Sequence, residues 1–287
     1  MSKAGLLSRN TREQLNNLVL NIFIPANIFS AFQRGITPEM LSHSLIILMV
    51  AFGLQAFVFV LNKFLYIKIA PEKALIFKYA TINNNAASLG LPVLGAVFGD
   101  IGILYGSIFL IPMRILMWTS WLSLFTKVDR KNKIKNLITH PCILAVVVGF
   151  VYVFIPLSLP AFISNAIWWV GDVARVLPMI VVGSILSELK IKEALDKDCF
   201  YYSFFRLVAI PAVMFVVLRL LSLDPVLIGV SVLLAAMPAA MITATFADKY
   251  NRNPEFASKT IFVSTILSIA TLPLIALALE RFVPTIF

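Results

Sequence analysis

The stretch ATINNNAASLGLPVLGAVFGD, residues 80–100, interrupts an apolar run with three consecutive asparagines and a Gly90-Leu91-Pro92 step. A second stretch, LLAAMPAAMITATFADKYNRNP at 233–254, is interrupted by Pro238. In a hydrocarbon solvent every main-chain N–H and C=O must find a partner. Irregular backbone at that depth is therefore tolerated only where it is buried in protein or lines a wet cavity. Two such breaks in corresponding parts of two halves are the sequence mark of a membrane transporter whose cargo binds near the midplane.

The composition puts these stretches in lipid. The residues AVILMFWYC make up 60% of the 287, and only 13% are charged, about half the roughly 25% of soluble domains. A chain this apolar has too little polar surface to coat a water-soluble globule. A net charge of +10 then reads as Lys and Arg gathered in cytoplasmic loops rather than as a nucleic-acid surface. Cys142 and Cys199 have no paired or metal-ligand spacing. No cofactor or metal is called for, and no removable signal peptide precedes the first apolar run.

A membrane-spanning helix needs about 20 mostly apolar residues. That ruler predicts an all-α polytopic protein with nine spans, near 15–33, 42–62, 74–95, 102–125, 138–158, 163–187, 200–221, 226–247 and 257–281. Alternating the loops between two sides gives seventeen Lys and Arg on one side and three on the other, Arg34, Arg219 and Arg281. The positive-inside rule makes the rich side cytoplasmic, with the start of the chain inside, the C-terminus outside and the protein multi-pass in the cytoplasmic membrane. Four basic residues fall within spans. Lys78 and Arg206 lie near cytoplasmic ends, where a long side chain can snorkel to the interface. Arg175 has Asp172 one turn earlier as an ion-pair partner. Arg114, in IPMRILMW beside Pro112, has no nearby carboxylate and is the best candidate to face a polar cavity.

An offset of about 153 residues aligns the chain with itself. Pro25 falls on Pro178, span 42–62 on 195–215, and Asn85 on Pro238. Span 138–158 then needs a counterpart before Met1, so the expected plan is two inverted five-helix repeats with the first helix missing. Residues 1–126 hold four spans of the first repeat and 136–287 the five of the second.

These residues resemble the auxin efflux carrier family, within the bile-acid and arsenite transporter-like superfamily. The likeness is carried by NIFIPANIFSAF (21–32), by Asn85 with Gly90-Leu91-Pro92, and by LYGSIFLIPMRILMW (104–118). It continues through AAMPAAMITATFADKY (235–250) and STILSIATLP (264–273), and covers nearly the whole chain. Three positions depart from the family pattern. Asn84 stands where plant carriers typically have the first crossover proline, Ala239 where a polar residue follows the second, and Arg114 where many members are neutral. The resemblance implies two broken helices that cross in a transport domain (40–125 and 200–281), moving against a scaffold (15–33 and 138–187) through which two copies pair as a homodimer. It also implies a small organic anion as cargo, moved outward.

At the crossing, the expected substrate-binding residues are Asn83, Asn84, Asn85, Pro92, Arg114, Pro238 and Ala239. The asparagines offer amide donors and acceptors, Pro238 frees a carbonyl one turn earlier, and half-helix N-termini suit a carboxylate. An intramembrane enzyme would need an acid pair, a Ser–His pair or a zinc cluster. His43, His140, Asp100, Asp172 and Asp224 make none of these by spacing. A transport-inactive sensor with the same fold is the competing reading.

Overall fold

The structure, a computed structural model, describes residues 9–33, 38–116, 139, 141–154, 159–187, 196–250 and 252–282. Helix α1 (Arg9–Leu18) runs through a π-turn into α2 (Ile24–Gln33), followed by α3 (Pro38–Leu65), α4 (Pro71–Ile82) and α5 (Leu91–Leu116). The second half holds α6 (Pro141–Phe154), α7 (Ala161–Ser187), α8 (Lys197–Phe204), α9 (Ile210–Leu220), α10 (Pro225–Ala235), α11 (Ile242–Lys249) and α12 (Pro254–Phe282). Each of the nine predicted segments contains helix where it is described, with breaks at 83–85 in 74–95 and at 236–241 in 226–247. Among the described residues, four stretches are long and apolar enough to cross a membrane: Glu39–Leu65, Ala86–Met113, Lys197–Leu220 and Pro254–Arg281.

One of the four folds back on itself. Gly99 has φ 64° and ψ −147°, a left-handed conformation that favours glycine because a Cβ would crowd the backbone. Beyond it, a Cβ built on Gly106 would lie 2.8 Å from a Leu91 methyl and 2.5 Å from one on Leu94. Fifteen residues of straight helix would separate Leu91 and Gly106 by about 22 Å. The two legs of α5 therefore lie side by side, and the turn between them matches the predicted boundary between spans 74–95 and 102–125.

Among the described residues, three π-turns share one cause. They span Val19–Phe23, Ala86–Gly90 and Phe205–Ala209, and each stands just before a proline: Pro25, Pro92 and Pro211. In each, the residue preceding the proline donates five residues back: Ile24 to Val19, Leu91 to Ala86, Ile210 to Phe205. A proline in a helix lacks its N–H and its ring collides with the carbonyl four residues earlier. Widening the turn makes room for the ring and keeps the helix continuous.

Packing divides by surroundings. Every residue from Leu227 to Ala235 of α10 is buried, enclosed by α5, α9, α12 and α3. The outer helices expose long apolar side chains instead, such as Met49 and Phe64 on α3, Phe162 and Trp169 on α7, and Leu274 and Leu277 on α12. Against water this surface would be unstable, whereas lipid is its natural solvent. Helix α2 packs on α6 and α7, with glycines at the closest points. A Cβ on Gly171 would lie 2.8 Å from the backbone of Asn27, and one on Gly149 would enter the Phe32 ring.

Candidate functional site

The two broken stretches meet. After α4 the chain leaves helical geometry at Asn83 (φ −100°, ψ 86°) and re-enters it after Asn85. After α10 it is irregular from Ala236 to Met241. The breaks run antiparallel, with Asn84 opposite Ala239 in an isolated β-bridge. The Asn85 N–H donates to the Pro238 carbonyl at 2.8 Å and the Ala240 N–H to the Asn83 carbonyl at 3.2 Å. Buried main-chain groups must be paired, and here each break supplies the partners that the other has lost.

Side chains complete the pairing. A proline at 238 leaves the Leu234 carbonyl, one turn earlier, without its helical donor. The Asn84 side-chain amide donates to that carbonyl. The Ala239 N–H donates to Ser264 Oγ at 3.2 Å on α12, and Arg206 Nε donates to the Met237 carbonyl at 3.0 Å.

The three asparagines therefore do different work. Asn83 is buried and its amide donates to the Tyr79 carbonyl at 3.4 Å. Asn84 is buried and engaged with Leu234. Asn85 is half-buried, and its carbonyl caps the next turn by accepting from the N–H groups of Leu89 and Gly90 at 3.0 and 3.2 Å. Its side-chain amide makes no hydrogen bond among the described residues, which leaves one donor group and one acceptor at the crossing. Pro92 and Pro238 are buried and Ala239 is wholly so. Gly90 packs on the second break, since a Cβ there would sit 2.7 Å from Leu234 Cδ2 and 3.2 Å from Met237 Cγ. The side chains of Arg114 and Arg175 lie outside the described residues.

Arg206 differs from its sequence reading. It does not snorkel to an interface: it is 2% exposed and bonded to the second break. Sequence position alone put it a turn and a half from a charged loop. It shares the buried face of Cys199, Tyr202 and Ser203, which stand seven, four and three residues before it at ordinary helical spacing.

Sequence reading also missed an ion cluster. Lys73 on α4 donates to Asp196 and Asp198 at the head of α8, at 2.9 and 2.7 Å. It also lies 4.7 Å over the Phe256 ring of α12. Hydrogen bonds donated to the carboxylates of Asp198 and Asp196 raise the affinity of Lys73 for its proton. Partial burial pushes the Asp196 carboxyl up, but the Lys73 ammonium and the Asp198 N–H outweigh it and hold it below the usual carboxylate range. The cluster fastens three helices, α4, α8 and α12.

An open cleft of about 320 Å³ runs between the π-turn and first leg of α5, Leu233 of α10, and α12. Its lining is Leu, Val, Ile, Ala and Pro, with only Thr265 and Ser268 polar, and Ser268 Oγ donates to the Thr265 carbonyl at 2.7 Å. No charged side chain lines it.

Comparison with known proteins shows a family of membrane transport proteins. The sequence model of the family described as "Membrane transport protein" matches residues 1–276. An uncharacterized transporter of Methanocaldococcus jannaschii is 24% identical over 286 residues, covering 94% of this chain and 90% of that one. An uncharacterized transporter of Methanothermobacter thermautotrophicus is 27% identical over 281 residues with the same coverage. A Rhizobium meliloti protein named "Putative malonate transporter" is 29% identical over 133 residues, 46% of this chain and 41% of its own length.

Proposed function

This chain belongs to the auxin efflux carrier family of membrane transport proteins, and from that premise we propose that it is a secondary carrier of small organic anions, mono- or dicarboxylates, moved outward across the cytoplasmic membrane. One observation carries the reading. Two breaks satisfy each other's main chain and leave the half-buried Asn85 amide unbonded at their crossing. An uncharged amide beside half-helix N-termini suits a carboxylate and still lets it leave. Malonate is the first cargo to test, because a partial relative carries that name.

The moving part in this reading is 40–125 with 200–281, working by alternating access against a scaffold of 15–33 with 138–187, which also pairs two copies. The packing of α2 on α6 and α7 supports that division. An inside-negative potential would drive one net negative charge outward by about 2.3 kcal/mol per 100 mV. The repeats are inverted in this reading, with nine spans and the start of the chain in the cytoplasm. A cysteine introduced at position 133 is then labelled from inside and one at 158 from outside, and labelling of both from one side sinks the topology.

The deciding experiment is uptake of radiolabelled mono- and dicarboxylates into proteoliposomes under a valinomycin-imposed potential. Saturable, potential-dependent flux is expected. Binding without flux would favour the sensor reading, and neither binding nor flux would end the carboxylate reading.

A further inference from the structure

Arg206 is a buried guanidinium, 2% exposed, in the π-turn between α8 and α9. Among the described residues no carboxylate lies within ion-pair distance of it. The titratable groups that act on it are Tyr202, on its own helix, and Tyr66, at the end of α3. Tyr66 is held to Thr81 of α4 by a 2.6 Å hydrogen bond. The Tyr202 hydroxyl is buried with no hydrogen-bond partner among the described residues. Among the described residues the guanidinium makes one hydrogen bond, 3.0 Å from Nε to the Met237 carbonyl. Met237 is the residue before Pro238, whose carbonyl holds Asn85.

An uncompensated charge in a low-dielectric interior is costly, by several kcal/mol even after relaxation. Arginine cannot escape that cost by losing its proton. A chain that keeps one there has a positive potential fixed at that point, and at low dielectric such a potential reaches several ångströms. In transporters with discontinuous helices, carbonyls of the unwound backbone are where a coupling cation sits. At Met237 the chain's own guanidinium fills that role.

We propose that Arg206 is a tethered cation of the crossing: it gives the site its preference for small carboxylate anions and stands in place of a bound coupling ion. Consecutive carbonyls of an extended segment point to opposite sides. Met237 therefore holds Arg206 on one side of the second break, and Pro238 holds Asn85 on the other. Arg206 acts on the cargo through that thin layer of backbone, as a positioning and charge-setting residue that does not touch it. This inference rests on the carboxylate reading above.

The test is radiolabelled malonate binding to the purified full chain in detergent, in sodium chloride and in choline chloride. The parent is expected to bind equally in both salts and at constant affinity from about pH 7 to 9, a range below the ordinary tyrosine and arginine values. Arg206→Gln is expected to elute and melt like the parent and to bind malonate about tenfold more weakly or worse. Arg206→Lys keeps the charge and guards against a Gln variant that does not fold. Burial lowers a lysine's affinity for its proton, so its malonate binding is expected near pH 7 and lost as the pH rises. A purely structural bond to Met237 would produce no such pH profile.

The inference is overturned by a parent that binds malonate only in sodium, by an Arg206→Gln protein with parental affinity, or by an Arg206→Lys protein with a flat profile. In each of these the parent binds carboxylates and the carrier reading stands. A parent that binds no carboxylate defeats both.

Discussion

The side-chain amide of Asn84 donates to the main-chain carbonyl of Leu234, 150 residues further along the chain. Leu234 lost its helical donor to Pro238, so an asparagine in one half repairs the break in the other. The same Asn84 stands opposite Ala239 in the bridge. Two positions at which this chain departs from the plant carriers are thus each other's neighbours.

Asn84→Ala should be costly to the fold. It leaves the buried Leu234 carbonyl with only the Met237 N–H at 3.4 Å, a loss of about 0.5–1.5 kcal/mol. Scanning fluorimetry in detergent should show a lowered melting midpoint. A midpoint equal to the parent's would mean that another group reaches Leu234.

Asn85→Ala should behave in the opposite way. Its side chain is half-buried and makes no hydrogen bond among the described residues, so the midpoint should hold while malonate uptake falls by about tenfold or more. Arg114→Asn, in the same uptake assay, should weaken dicarboxylates more than monocarboxylates, since a second carboxylate has most to lose from a missing charge-assisted bond. Parental uptake of every anion by both variants would move the site away from these residues.

Gly171→Ala tests the contact of α2 with α7. The new Cβ would lie 2.8 Å from the Cα and N of Asn27, and helical backbone cannot turn aside as a side chain can. A loss of about 1–3 kcal/mol is expected. Gly53 of α3 is the control. A Cβ there meets nothing within 4 Å, so Gly53→Ala should be neutral or stabilising, by up to about 1 kcal/mol. Equal midpoints for the two variants would remove the close approach from the explanation.

Lys73→Met removes the ion cluster, and its effect should depend on pH in one direction at each end. The lowered Asp196 contributes stability that is present above the ordinary carboxylate range and lost as pH falls through its depressed value. The raised Lys73 contributes stability that is intact below the ordinary lysine range and lost as pH rises through its elevated value. Both partners are partly exposed, so the gap between parent and variant should be about 0.5–1 kcal/mol. It should stay constant from about pH 5 to 9 and close below about pH 3. A gap that persists at the acid end would assign the effect to packing of the lysine stem on Phe256.

How much of this was legible depended on whether the signal was local. Pro238 and the three asparagines announce a break wherever they occur, because the helix cannot continue through them without help. Gly99 beside Asp100 marks the turn for the same reason. The partner of each break was not local, and three adjacent asparagines look alike in a string of letters. Their roles separate only when the dihedrals at 83 and 85 aim the side chains differently: at Tyr79, at Leu234, and at nothing else described. Arg206 was misread because its closeness to a charged loop was weighed ahead of helical spacing, which puts it on the same buried face as Cys199, Tyr202 and Ser203. The pairing of Lys73 with Asp196 and Asp198 joins residues more than 120 positions apart, which no spacing rule reaches.

The bridge between Asn84 and Ala239 also limits what the protein can do mechanically. Sliding one break past the other by a single residue would sever both main-chain bonds and the Asn84 bond together. It would also turn every side chain of the extended segment to the opposite side. There is no half-way register in which some of these bonds survive. The four half-helices that meet there are thus riveted at their midpoints, and any rocking of this region carries all four as a single lever.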